Sequence, residues 1–254
     1  MGSLVLAVDT TSRHGSVALA RDGAVLASLG VVAEPQRATV LWTDIEMLLE
    51  RVGANIGDVD AFAVARGPGA FTGLRVGIAA AAGLARATGK PLYGATTLEL
   101  TAREAGAGDA VWAVLNAYRN EVYAQPFRVE SSGTVIPLAD PCVGAPGDIF
   151  GRIGSGVARI AGTGAHTFRA ELELAAGHAG VALSAPALFP SELAGWTVSP
   201  VVEFLAPALA RYASIALAAG VDPGRVVPCY VRRSEAEINL ELGKLQPAGA
   251  TRVG

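Results

Sequence analysis

Histidine and cysteine are scarce in this chain of 254 residues, which has three of the first (His14, His166 and His178) and two of the second (Cys142 and Cys229). No two histidines stand three or four residues apart, so no helix face offers a His pair to a metal, and the ligand cluster of a metallohydrolase is missing. No Ser or Cys is accompanied by a His and a carboxylate in a pattern that marks a nucleophilic hydrolase. Two distant cysteines make no disulfide framework and point to a reducing cytoplasm. Charge is sparse as well: charged residues make up 17% of the chain and the net charge is −3, which argues against holding a nucleic acid by phosphate neutralisation alone. Long apolar runs are absent. The longest, Val76 to Ala85, contains glycines and is bounded by Arg75 and Arg86, too short to span a bilayer. The start, Met1-Gly2-Ser3-Leu4, leads into a strand-like run with no charged leader, so the expectation is a cytoplasmic protein without a membrane anchor.

What is present is apolar and small: 51% hydrophobic residues and 31 glycines. A chain this long buries a sizeable core as one large or two ordinary domains. Strand-like runs occur at Leu4 to Val8, Gly15 to Ala20 and Ala24 to Val32, with Asp22-Gly23 as a hairpin turn between the last two. After Pro35 the apolar period changes to 3.6. Leu41, Trp42, Ile45, Leu48 and Leu49 share the face of a helix that ends at Gly53. A strand over Val59 to Ala65 then runs into a helix over Phe71 to Thr88, closed by Gly89. Pro91 to Gly94 is a short strand, and Thr96-Thr97-Leu98-Glu99 is a capping box that opens the next helix. That helix fades at Gly106-Ala107-Gly108, read as the boundary between an N-terminal lobe, 1–106, and a C-terminal lobe, 107–254. Beyond it the opening theme recurs, with strand Ala110 to Leu115, turn Asn116 to Asn120 and strand Glu121 to Val129. Later come the strand Val157 to Ala161, the turn Gly162-Thr163-Gly164 and an apolar helix over Ser199 to Ala219, which can pack back on the first lobe. A duplicated strand-turn-strand unit followed by helices predicts an α/β fold of two related lobes, with mixed sheets flanked by helices.

The densest signal is Arg66-Gly67-Pro68-Gly69-Ala70-Phe71-Thr72-Gly73-Leu74-Arg75-Val76-Gly77, where a strand ends, a glycine-rich turn follows and a helix opens. No Gly-Lys-Ser/Thr follows at Walker spacing, and the run is not a Gly-x-Gly-x-x-Gly dinucleotide fingerprint. It suits either a tight strand-to-helix corner or a phosphate cradle. In the helix, Gly73, Gly77, Ala81 and Ala85 recur every four residues as a flat strip beside Leu74 and Ile78. This strip packs either on the chain's own sheet or on another chain. Arg66 either meets an anion or a partner carboxylate or, like Arg75, keeps its head in water over a buried stem. Asp9-Thr10-Thr11 ends the first strand with a carboxylate and hydroxyls, which suit either a hydrated Mg²⁺ and phosphates or a capped turn. The matching turn offers only Asn116. His166 and His178 are read as loop residues.

Together, Leu4 to Asp9-Thr10-Thr11-Ser12 and Gly67 to Gly77 resemble the bacterial TsaB family, the partner subunit in threonylcarbamoyladenosine tRNA modification. The resemblance is specific to about Leu100, moderate over Asn116 to Tyr123 and loose beyond. It implies the duplicated fold shared by actin, Hsp70 and sugar kinases. It also implies a catalytically inactive scaffold with no intrinsic cofactor, whose two first-lobe helices dock on the transferase TsaD, with the ATPase TsaE cycling the complex. Further implications are a homodimer in the absence of TsaD, ATP or ADP only at the partner interface, and tRNA contact only through the complex. On this reading Leu41, Trp42, Ile45, Gly73, Leu74, Gly77, Ile78 and Ala81 form the partner surface, and the family-motif turn is Arg66, Gly67, Pro68, Gly69, Phe71, Thr72 and Arg75. Asp9, Thr10 and Thr11 are the candidates for a nucleotide. Where many members carry a His-Ser-Glu-like segment, this chain has Arg37-Ala38-Thr39. The rival is a small-molecule kinase or ATPase that uses Asp9 and the turns at Gly67 to Gly69 and Gly162 to Gly164.

Overall fold

Two mixed sheets are built to the same plan. The computed structural model describes residues 2–32, 37–184 and 195–232. The first sheet has β1 (Leu4–Asp9), β2 (His14–Arg21), β3 (Ala24–Val32), β4 (Ala61–Ala65) and β5 (Leu92–Ala95), in the order β3-β2-β1-β4-β5. The β1–β2–β3 meander is antiparallel, while β4 and β5 add in parallel through helical crossovers. Asp22 and Gly23 both have positive φ, the backbone that a two-residue hairpin turn requires. The second sheet repeats the plan with β6 (Gly108–Tyr118), β7 (Glu121–Val129), β8 (Val135–Pro137), β9 (Cys142–Gly144), β10 (Ala158–Ala161), β11 (Leu183–Ser184) and β12 (Trp196–Val198). Its order is β11-β12-β10-β6-β7-β8, with β9 also on β7. Here β6–β7 is the antiparallel hairpin, and β10 and β12 add in parallel.

The helices are α1 (Arg37–Arg51), α2 (Phe71–Thr88), α3 (Thr97–Ala105), α4 (Pro146–Phe150), α5 (Thr163–Thr167), α6 (Arg169–Ala179) and α7 (Ala206–Ala218). α1 and α2 cover one face of the first sheet, burying Leu41, Ile45, Leu48, Ala80 and Ala85 on Leu6, Leu19 and Phe62. α7 covers the other face with Ala206, Leu209, Ala210 and Ala213, small side chains that let it lie close to Ala7, Ala18 and Ala63. α3 sits on the second sheet through Leu98 and Ala102, and α4 to α6 cover the opposite face. The Thr96 hydroxyl caps α3 by accepting the Glu99 amide at 3.0 Å.

Three expectations are corrected. The helix expected from Ser199 starts at Ala206, because the Ser199 amide donates to Ile160 O at 2.8 Å and holds the backbone extended, and Pro207 suits a first helical turn. His166 and His178 lie in α5 and α6 rather than in loops. These short helices lack a long apolar period. The proline-punctuated stretch Ala179 to Pro190 reads from sequence as a loop or linker, yet Ala179 ends α6 and β11 follows, while 185–190 lie outside the described residues. Among the described residues no helix is long and apolar enough to cross a membrane.

Candidate functional site

The glycine-rich run is a corner that locks α2 onto the turn after β1. Gly67 has φ +90°, open to glycine at little cost, and its peptide bond to Pro68 is cis. A Cβ at Gly69 would stand 2.2 Å from Thr11 O, and one at Gly73 would stand 2.0 Å from Thr10 O. Only glycine permits that approach. The Ala70 amide donates to Thr11 O at 2.6 Å, and the Thr10 hydroxyl donates to Gly73 O at 2.6 Å. Asp9 is 1% exposed and its carboxylate accepts the Thr11 amide at 2.9 Å and the Thr11 hydroxyl at 2.6 Å. The second lobe repeats the device. A Cβ at Gly162 would stand 2.4 Å from Val114 O, and the Thr163 hydroxyl accepts the Asn116 amide at 3.1 Å.

Between the lobes lies a cleft of about 980 Å³, into which both hairpin turns open. Of the three nucleotide candidates, Thr11 lines it, while Asp9 and Thr10 face inward. Four arginines line it, Arg13, Arg75, Arg119 and Arg232, together with His14, against one carboxylate, Glu203. Tyr118, Arg119 and Asn120 all adopt positive φ at the second hairpin turn. Non-glycine residues rarely adopt this backbone singly, let alone in a run of three. Residues 226–232 cross one rim as a strap. The Cys229 amide donates to Arg66 O at 2.6 Å, and Tyr230 stacks on Phe71 at 5.5 Å and accepts Arg75 Nε at 3.1 Å. Arg232 ties the strap to the second lobe, donating to Ala117 O at 3.0 Å, pairing with Glu121 and lying over Tyr123. Burial pushes the Cys229 thiol up, partly offset by the Arg66 guanidinium. Burial also pushes the Tyr123 hydroxyl up, with Arg232 opposing. In sequence, Pro228 to Glu235 resembles the family's closing strand and tail, but residues 228–232 form no strand, 233–235 lie outside the described residues, and nothing in the sequence marked the contacts of Tyr230. Its contacts join residues more than a hundred positions apart.

The partner surface read from helical spacing is mostly interior. Leu41, Ile45, Leu74 and Ala81 are buried, and Gly77 faces Thr10 Oγ1 and Val64. Spacing identifies an apolar stripe but not what covers it, and here the chain's own sheet does. Other residues of the two helices are open: Val40, Trp42 and Met47 of α1 are exposed, as are Ala79 and Gly83 of α2, and Ile78 is half-buried. Partial burial pushes the Asp44 carboxyl on α1 up. Thr72 is exposed at the start of α2. The side chains of Arg37, Ala38 and Thr39 lie outside the described residues.

A family model described as TsaD, tRNA N6-adenosine threonylcarbamoyltransferase, matches residues 32–221. The chain belongs to the TsaD family. It is 34% identical over 132 residues to the tRNA threonylcarbamoyladenosine biosynthesis protein TsaB of Escherichia coli, an alignment covering 51% of this chain and 57% of that protein. The chain thus spans about half the length of the curated relatives it matches. A crystal structure from Pseudomonas aeruginosa, described as an uncharacterized protein similar to peptidase YEAZ, superposes with TM-score 0.68 at 28% identity, covering 91% of this chain and 100% of that one. YeaZ from the same organism superposes with TM-score 0.67 at 27% identity, covering 90% and 99%. This TsaD-family chain therefore has the fold of the YeaZ structures, with its two mixed sheets flanked by helices.

Proposed function

We propose that this chain acts in cytoplasmic tRNA threonylcarbamoyladenosine biosynthesis as a non-catalytic subunit, binding a TsaD-like transferase through the open face of α1 and α2. The observation that carries the reading is that face. Trp42 is 45% exposed and Met47 49% on α1, and Ala79 and the side-chain-free Gly83 are exposed on α2, with nothing within 4 Å of a Cβ built at Gly83. An exposed tryptophan on one helix and exposed small residues on the other suit helix packing by another chain. The inward carboxylate of Asp9, held by Thr11, speaks against a metal-nucleotide reaction at the first hairpin turn. A TsaE-like ATPase and tRNA would join through the transferase. Without the transferase, the same face pairs two copies of this chain.

The test is the mass of the purified chain, followed by titration with the TsaD-like protein of the same organism. The expected result is a homodimer that converts to a one-to-one complex, with Trp42→Ala and Gly83→Arg each weakening it at least tenfold, or about 1.4 kcal/mol. Gly83→Arg builds into open space, so the variant should fold. A monomer that ignores the transferase but hydrolyses Mg-ATP would overturn the reading in favour of the kinase class.

A further inference from the structure

We propose that the C-terminal segment Glu237 to Leu242 adds to the outer edge of β3 as a sixth strand of the first sheet, antiparallel and within the same chain. The edge at β3 differs from the other strands that end the two sheets. β5 has four residues, β11 two and β8 three, the last of them Pro137, and edges this short offer little to a further strand. β3 has nine residues, none charged and none proline. Its one irregularity is a bulge at Leu26, where the pairing with β2 steps from Ala20↔Val25 to Leu19↔Ala27, and from Ala27 to Val32 the register is regular. Among the described residues no strand lies beyond it. A regular edge of this kind presents unpaired backbone N–H and C=O groups to another extended segment. Both faces of β3 are packed: Ala27 and Leu29 join the cluster under α1, and a Cβ built at Gly30 would stand 2.6 Å from the Phe204 ring.

The occupant is identified by its pattern and by its point of departure. Glu237-Ile238-Asn239-Leu240-Glu241-Leu242 alternates polar and apolar residues, the period of a strand with one buried face. The last described residue before it, Arg232, is tied to Ala117 O and Glu121 and lines the same cleft as His14. His14 in turn is paired with Val32, the final residue of β3. The segment therefore starts across the cleft from the end of β3. Residues 233–236 let it reach roughly 16 Å when extended, the scale of a cleft of about 980 Å³. Entering at Val32 and running towards Ala27 makes the pairing antiparallel. With Leu240 opposite Leu29, Ile238 stands opposite Val31 and Leu242 opposite Ala27, so three apolar residues extend the half-buried face of β3. Glu237, Asn239 and Glu241 then extend its exposed face, and a slip of one residue would reverse both.

Hydrogen exchange of the full chain, read by mass spectrometry over Ala27 to Val32, tests the pairing. Ile238→Lys combined with Leu240→Lys should speed exchange there at least tenfold and leave β1 unchanged, whereas Glu241→Gln should change nothing. A second measurement identifies the chain that supplies the strand. Ser28→Cys with Glu241→Cys, in a protein carrying Cys142→Ala and Cys229→Ala, should form an intrachain disulfide on mild oxidation. A disulfide between chains would overturn the proposal, because the segment would then pair with a second copy. Exchange over β3 that slows as protein concentration rises and ignores the lysine changes would overturn it too, because two β3 edges would then be paired. Equal, rapid exchange in wild type and variants, with no disulfide, would mean that β3 stays bare and would overturn it outright.

Discussion

Replacing Gly73 by Ala should be among the most damaging single-methyl changes this protein can suffer, although Ala is the better helix former. The new Cβ would stand 2.0 Å from Thr10 O, a backbone atom that cannot swing aside. Reaching ordinary contact near 3.4 Å requires α2 to recede about 1.4 Å from the turn after β1. That shift breaks the Thr10 hydroxyl bond to Gly73 O and the Ala70 amide bond to Thr11 O, both 2.6 Å. Each lost bond costs about 1 kcal/mol, and overpacking costs about 1–3 kcal/mol. The helix-propensity gain of Ala over Gly returns about 1 kcal/mol. The net loss is about 2–4 kcal/mol, a fall in melting temperature of roughly 10 °C for a chain of this size. Gly83→Ala in the same helix is the control. No atom stands within 4 Å of its new Cβ, so it should stabilise by about 0.5–1 kcal/mol. Urea unfolding of the three proteins reads both values. If Gly73→Ala matches wild type, the corner does not depend on the close approach, and this account of the motif fails.

Two further outcomes concern the strap. Arg232→Ala removes the donor to Ala117 O and the partner of Glu121, so hydrogen exchange at the Cys229 amide should quicken about tenfold, with the core amides of β1 unchanged. Equal exchange would mean that the strap is held from the first lobe alone. Burial raises the Cys229 thiol pKa above the ordinary value, so the folded state favours the protonated thiol. This contribution to stability is present below the unfolded pKa and is lost as pH rises through the folded one. In a Cys142→Ala background, the pH midpoint of Cys229 alkylation should therefore be higher in the native protein than in urea. Arg66→Gln should raise it further, because Arg66 opposes the shift.

Local patterns were legible wherever one period or one turn decides the backbone. The hairpin at Asp22-Gly23, the bounds of α2, the cap at Thr96 and the strand over Glu121 to Val129 follow from residues within a few positions of each other. The duplication was legible too, because both lobes repeat strand, turn and strand in the same order. The site was less so. The strip Gly73, Gly77 and Ala81 was visible as small residues in register, but sequence could not distinguish a partner's helix from the chain's own Thr10 turn. The short helices α4 to α6 carry too few residues for a period to show.

By itself the sequence determined an α/β fold in two related lobes and a glycine-rich corner, because these depend on propensity, period and backbone freedom near each residue. Tertiary structure decided that Asp9 turns inward, that Trp42 and Gly83 rather than Leu41 and Gly77 face outward, and that four arginines meet in one cleft. It also decided that a C-terminal strap joins Arg66 to Glu121. Each of these depends on which distant segment occupies the space beside a side chain, and contacts across a hundred residues leave no periodic mark on the sequence.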